Sequence, residues 1–248
     1  MLILAAAAPL LGGSARPRLV PDVSQSRIEI QYSFTGADLL LFGAILYPGG
    51  RTPTERADIA VVVKGPVQPL VVREKRKVAG IWMNVESARF RSAPAFYAVA
   101  SSGPLSKLID ERTAAIYELG LQNLSLSPGG GKAPDVQRRF ESGLIEMMQR
   151  HQLYFEDAGG VKITDGVLYR GHISIPARVP VGNYSAQTFL IKDRRVIAVA
   201  EREIRIEKLG FERFVASTAE RWSLTYGIAA VAMSLLFGWG ASLAFRRA

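Results

Sequence analysis

The sequence predicts a mainly β protein: an immunoglobulin-like antiparallel β-sandwich with a helical insertion, followed by a C-terminal transmembrane helix. Three observations predict it. Short apolar or alternating runs recur along 16–103 and 156–208, separated by Gly-Pro, Pro-Gly and Asp-Gly turn signals. Between them, 104–155 switches to apolar residues spaced for a helical face. Finally, 223–245 carries no charged residue.

The elements follow in chain order. Residues 1–15 are apolar and uncharged and end in Gly13-Ser14-Ala15, a small-residue site suited to signal cleavage, although no Lys or Arg precedes the apolar stretch. Ile28, Ile30, Tyr32 and Phe34 alternate with polar residues, the period of a half-buried strand. The run 39–46 is continuously apolar and predicts a central strand buried on both faces. Further strands are predicted over 59–63, 70–73, 78–85, 88–90 and 96–100, with 73–77 as a basic turn or strand-to-strand connection. Pro104 suits a first helical position, and Leu105, Leu108, Ile109, Arg112, Ile116 and Leu119 predict a helix over 104–119 that stops at Gly120. After the Pro- and Gly-rich loop 128–134, Val136, Phe140, Leu144, Met148, His151 and Phe155 predict a second helix over 135–153.

Strand patterns return at 161–163, 167–175, 183–192 and 196–207, with a turn at Asp165-Gly166. Pro180-Val181-Gly182-Asn183-Tyr184, entering an alternating strand, is a local pattern common in immunoglobulin-like sandwiches, where the tyrosine packs inward near a loop. Residues 209–222 place Phe211, Val215 and Trp222 on one helical face with Phe214 beside it. This predicts either a juxtamembrane amphipathic helix, with these four residues at the membrane interface, or the outer turns of the spanning helix. As a helix, the 23 residues of 223–245 span about 34 Å, enough for a hydrocarbon core of about 30 Å. Arg246, Arg247 and Ala248 form a short tail.

A signal followed by one span predicts a single-pass protein of the bacterial inner membrane, with 16–222 in the periplasm and the C-terminus in the cytoplasm. Arg205, Lys208, Arg213 and Arg221 on one side balance Arg246 and Arg247 on the other, so orientation rests on the signal. The chain has no cysteine, which excludes disulfides and thiolate metal sites. Its formal charge of +9 would suit nucleic acid, but an exported domain without exposed aromatics interleaved among its basic runs argues against that partner.

No catalytic constellation is legible, and no enzyme, metal or cofactor is predicted. His151 and His172 lack metal-ligand spacing, and a His151, Glu156 and Asp157 site is disfavoured. Gly129-Gly130-Gly131-Lys132 lacks the remainder of a phosphate loop, and Asp110-Glu111 and Glu156-Asp157 fit solvent-facing caps. The basic segment 73–77 fits either a solvated turn or a contact with anionic headgroups or an acidic partner. Trp82, Asn84 and Tyr97 are the candidate ligand-binding residues, with Trp82 and Tyr97 as core aromatics being the ordinary alternative.

Several segments together resemble a known family: VPDVSQSRIEI at 20–30, FTGADLLLFGAI at 34–45, VVVKGP at 61–66, VAGIWMN at 78–84, FYAVASS at 96–102, HQLYFEDAGGV at 151–161, PARVPVGNY at 176–184 and LGFERFVASTAE at 209–220. The chain is similar over nearly its full length to an alphaproteobacterial family called "putative transmembrane protein", of uncharacterised function. The resemblance implies a single C-terminal span, an exported N-terminal domain and an accessory role beside an inner-membrane permease of the anion- or sulfite-exporter kind. It implies no catalytic or binding residue. A membrane-anchored periplasmic partner of a transporter is the function expected first. A periplasmic small-molecule binding module and an envelope structural protein are the alternatives. The lipid bilayer is the one partner common to all three.

Overall fold

The computed structural model describes residues 16–30, 35–50, 57–208, 219–221 and 223–245. The expected signal, the interface residues Phe211, Phe214, Val215 and Trp222, and the tail 246–248 lie outside the described residues.

The body is mainly β. Strands β1 (Arg18–Val23), β3 (Gly36–Leu46), β11 (Leu168–Pro176) and β10 (Val161–Thr164) form a four-stranded antiparallel sheet in the order β1-β3-β11-β10. A six-stranded sheet runs in the order β2 (Arg27–Ile30), β13 (Arg195–Lys208), β12 (Gly182–Lys192), β4 (Asp58–Lys64), β7 (Tyr97–Ser101) and β9 (Tyr154–Ala158). Its interior is antiparallel, but β2 runs parallel to β13 and β9 parallel to β7. The six-stranded sheet is therefore mixed at both edges and not purely antiparallel as predicted. A third sheet is a long hairpin, β5 (Val67–Val78) and β6 (Ile81–Pro94), joined at its base by β8 (Ser127–Pro128).

One hydrophobic core lies between the two larger sheets. Leu39, Ile45, Ile173 and Ile175 meet Ile59, Val61, Val63, Tyr184, Leu190 and Ile204 there. A second core covers the opposite face of the six-stranded sheet, where Ala60, Val62, Tyr97, Val99, Phe189 and Ile191 pack on Phe140, Leu144 and Met148 of α3 (Pro134–Arg150) and on Phe90 of β6. This explains why Ile59 to Val63 and Tyr97 to Ser101 are buried without alternation: their strands are covered on both faces. The run 39–46 behaves differently. β3 is buried on one face only, and Phe42 and Leu46 point outward and are exposed. An unbroken apolar run does not by itself tell a two-sided strand from one whose outer face is also apolar.

The expected helix over 104–119 is two short ones, α1 (Leu105–Leu108) and α2 (Glu111–Ile116). Asp110 separates them and caps α2: its carboxylate accepts from the Thr113 backbone N–H at 2.9 Å and from the Thr113 hydroxyl at 2.6 Å. Those bonds hold its pKa below the usual aspartate range. The helix over 135–153 ends at Arg150, and His151 is its exposed C-terminal cap, so it does not belong to the buried stripe. His172 faces outward from β11 and is exposed. The uncharged segment 223–245 is a single helix, α4 (Ser223–Phe245).

Tyr184, at the start of β12, is 1% exposed, and its hydroxyl donates to the Pro180 carbonyl oxygen at 2.7 Å. The Gly43 position is equally constrained. A Cβ there would lie 2.5 Å from both the Tyr169 hydroxyl oxygen and the Val20 carbonyl oxygen, so the aromatic side chain of the partner strand lies over a residue that must stay bare.

Candidate interaction surface

The segment 65–96 leaves the six-stranded sheet between two neighbouring strands, β4 and β7, and returns to it. The Gly65 N–H donates to the Phe96 carbonyl oxygen at 2.8 Å and the Ala95 N–H to that of Pro66 at 2.9 Å, so the β4–β7 ladder runs on into the hairpin. Pro69, which has no N–H to give, sits at a shift of register between Gln68 and Leu70. Leu70 and Val72 of β5 and Ala88 and Phe90 of β6 pack on the second core. Beyond them the hairpin stands free of it.

The last residues with support are Glu74 and Glu86. They are directly opposite each other on β5 and β6, and α3 and its preceding loop neutralise them. Arg139 Nη2 lies 2.6 Å from Glu86 Oε2 and 3.1 Å from Glu74 Oε2, Lys132 Nζ lies 2.9 Å from Glu86 Oε1, and Arg76 Nε lies 2.7 Å from Glu74 Oε1. The hydrogen bond from Arg76 holds the Glu74 carboxyl below the usual glutamate range, and the Arg139 charge adds to it. Glu86 is lowered in the same way, chiefly by the hydrogen bond from Lys132. Lys132 and Arg139 also sit over the Phe140 ring, 5.4 and 5.6 Å from its centroid, which orders them for this role.

Past this clamp every residue from Lys75 to Val85 is exposed. The turn is Ala79-Gly80, with φ of +50° and +86°, the double left-handed conformation of a two-residue hairpin turn. Residues 73–77 are therefore strand and not the predicted turn. Ala-Gly is a weaker turn signal than Asn-Gly, and the tip lay hidden inside the predicted strand 78–85. A second register shift between Glu74 and Lys75 leaves Val85 unpaired and sets Lys75 opposite Asn84, Arg76 opposite Met83, Lys77 opposite Trp82 and Val78 opposite Ile81. Residues so paired share a face of the ribbon. Trp82 thus joins Lys75 and Lys77 on one face, and Ile81 and Met83 join Val78 and Arg76 on the other.

The three proposed ligand residues do not form one site. Trp82 is 67% exposed on the arm, and Asn84 is exposed beside it. Tyr97 is 0% exposed at the start of β7, the strand beside the β9 edge of the six-stranded sheet. Its hydroxyl donates to the Glu118 carbonyl oxygen at 2.6 Å and accepts from the Gly120 N–H at 3.0 Å, and burial raises its pKa. The core-aromatic alternative describes Tyr97 but not Trp82. A separate cleft of about 510 Å³ opens beside Gly120, lined by residues including Leu105, Ile109, Asn123, Glu156 and Arg194. Sequence reasoning passed over it because its walls come from segments far apart in the chain. Two of its charged groups already serve the protein. The Glu156 carboxylate accepts from the Leu121 N–H, and Arg194 donates to the carbonyl oxygens of Ser106 at 3.4 Å and Ile109 at 3.3 Å. Among the described residues no cluster of His, Asp and Glu could hold a metal ion.

α4 exposes Leu224, Ile228, Val231, Leu235, Leu236, Phe237 and Trp239, and no charged residue occurs along its 23 positions. Counting only the described residues, no helix is long and apolar enough to cross a membrane. No curated protein matches the chain. The family described as "Putative transmembrane protein" (Alph_Pro_TM) matches residues 18–247, which run from the first residue of β1 to beyond the end of α4, and the chain belongs to that family.

Proposed function

We propose that the protein is a non-enzymatic accessory of an inner-membrane transporter, anchored by α4 as its one span, with its β-rich body in the periplasm and its C-terminus in the cytoplasm. The observation that carries this reading is α4 itself: a helix of 23 uncharged residues that exposes Leu224, Ile228, Val231, Leu235, Leu236, Phe237 and Trp239. In water so much apolar surface is unfavourable, whereas a hydrocarbon phase of about 30 Å would accept it. The anion- or sulfite-exporter-like permease remains the partner class of choice, on the family resemblance alone.

The body suits a docking role if it is an immunoglobulin-like domain, and two features favour that reading. With β1, β3, β4, β7, β10, β11, β12 and β13 taken as strands A, B, C, C′, D, E, F and G, the two larger sheets have the orders A-B-E-D and G-F-C-C′. The Tyr184 bond to Pro180 falls at the start of strand F, where such domains place a tyrosine corner. Such folds serve adhesion and assembly as readily as catalysis, so the fold sets no reaction.

Alkaline extraction of native membranes should leave the full chain in the pellet, and a reporter fused after Ala248 should be active only as a cytoplasmic fusion. A soluble chain, or a reporter on the outer side, overturns the anchor. Crosslinking from positions 211 and 215 in native membranes should trap a permease, and self-crosslinks alone overturn the partnership. The cleft of about 510 Å³ favours a second reading, a small-molecule binding module. A ligand that raises the melting temperature of the intact protein, and loses that effect in Asn123→Trp, would favour it over the first.

A further inference from the structure

We propose that the free end of the β5–β6 arm, residues 75–85, docks on an anionic phospholipid surface, with Lys75 and Lys77 at the phosphates, Trp82 at headgroup level, and Val78 and Ile81 at the boundary with the acyl chains. The inference rests on α4 holding the chain at a bilayer and adds a second, reversible contact to that anchor.

The composition of the tip points to this surface. Between Lys75 and Val85 there are three cations, no acidic residue and five large apolar side chains, Val78, Ile81, Trp82, Met83 and Val85, all of them exposed. The nearest acidic residues, Glu74 and Glu86, are engaged below by Arg76, Arg139 and Lys132, so they do little to offset Lys75 and Lys77. A two-stranded ribbon with an apolar end invites aggregation unless something covers that end.

The order along the ribbon fits the layers of a membrane surface. Val78 and Ile81 close the tip, Lys77 and Trp82 form the next pair back, Arg76 and Met83 the next, and Lys75 and Asn84 the one after. Each step is about 3.4 Å. An approach end-on places aliphatic groups deepest, the indole at headgroup level and the ammonium groups near phosphate, the arrangement such side chains prefer at interfaces. Arg73 extends the basic face toward the body, on the same side of β5 as Lys75 and Lys77. A nucleic acid would match the cations but not Ile81 and Met83. An acidic protein groove is the competing occupant, and it is distinguishable because pure lipid vesicles contain none.

The chain has no cysteine, so Asn84→Cys in the full-length protein gives one attachment point for an environment-sensitive dye. The labelled chain is reconstituted into vesicles of phosphatidylcholine alone or mixed with phosphatidylglycerol, and emission and quenching by brominated lipid are read. The dye should shift to the blue and be quenched in the anionic vesicles only, and high salt should reverse both effects. Lys75→Glu and Lys77→Glu should each reduce the ratio of docked to free arm about fivefold. Trp82→Ala should reduce it while leaving the salt dependence in place. Equal emission in both lipids, or a dye shielded in native membranes but not in anionic vesicles, overturns the proposal. Alkaline extraction of the same vesicles reads the α4 anchor separately. A chain retained in the pellet with an unshifted dye sinks the arm contact alone, and a chain lost to the supernatant sinks the anchor. These positions bear no core contact, and an unchanged melting temperature confirms folding of each variant.

Discussion

Glu74 and Glu86 are directly opposed across β5 and β6, and Arg139 of α3 holds both carboxylates at once. Two like charges in that position would repel. At the root of the arm this repulsion is offset by Arg139 from α3, together with Arg76 on the arm and Lys132 in the preceding loop. Arg139→Ala should raise both carboxyl pKa values toward the ordinary range and speed amide exchange in the arm, with little change in the exchange of β4 or β12. Hydrogen exchange by mass spectrometry resolves these segments.

The same cluster sets a pH dependence. The pKa values of both glutamates are lowered in the folded protein, so their contribution to stability is present above the usual glutamate range. It is lost as pH falls through the lowered folded values. Carbon-detected titration of the two side chains should give midpoints below that of free glutamate, with exchange of the arm rising over the same acidic window. Midpoints in the ordinary range would show that Arg76, Lys132 and Arg139 do not hold the carboxylates in solution.

Tyr97→Phe removes a buried hydroxyl that both donates and accepts, and it leaves the Glu118 carbonyl oxygen and the Gly120 N–H without their partner. A loss of about 1–3 kcal/mol in unfolding free energy is expected. Chemical denaturation of the full chain in detergent measures it. A neutral result would mean that water replaces the hydroxyl through the adjoining cleft.

Gly43→Ala should cost about 1–3 kcal/mol, as overpacking does in a filled core. Tyr169→Phe in the same chain should restore only part of this, because the Val20 carbonyl oxygen is as close to the added carbon as the tyrosine oxygen is. Melting temperatures of the two single variants and the double variant decide the point.

Leu235→Arg places a charge near the middle of α4. At the centre of a bilayer this costs about 2.5–3.5 kcal/mol of insertion free energy. Retention in the pellet after alkaline extraction should fall, and Arg placed instead at Leu224, near the helix end, should have a smaller effect. Equal retention of both variants would count against a spanning role for this helix.

Much of the architecture was legible because it is local. The alternation at Ile28 and Ile30, the stripe through Phe140, Leu144 and Met148, and the uncharged run at 223–245 each report on one element and its immediate environment. What escaped was set by distant partners. The parallel pairing of β2 with β13 and of β9 with β7 leaves no mark on the individual strands. Trp82 and Tyr97 occur in similar apolar surroundings in the sequence, yet one is at a free ribbon end and the other lies inside the second core. Only the path of the chain around them separates the two. Asp110 reads as a cap in the sequence, and in the structure that cap divides the predicted helix 104–119 into α1 and α2. The candidate surface was half visible: its basic residues were recognised, while the hairpin that presents them beside Trp82 depends on a turn at Ala79-Gly80 that the residue types signal only weakly.

The arm springs from a single doorway, the adjacent residues Gly65-Pro66 and Ala95-Phe96, which close the ladder behind it. Beyond the core-packing residues and the Glu74–Glu86 clamp, the ribbon can lengthen or shorten without re-threading the two larger sheets. Insertion of two residues in each strand would extend the ribbon by about 7 Å and return every side chain to its original face, whereas one residue in each would turn the ribbon over. Evolution can thus adjust how far this protein stretches from its body in discrete strides, and homologues should differ at the tip by even increments per strand while their sandwiches remain superposable.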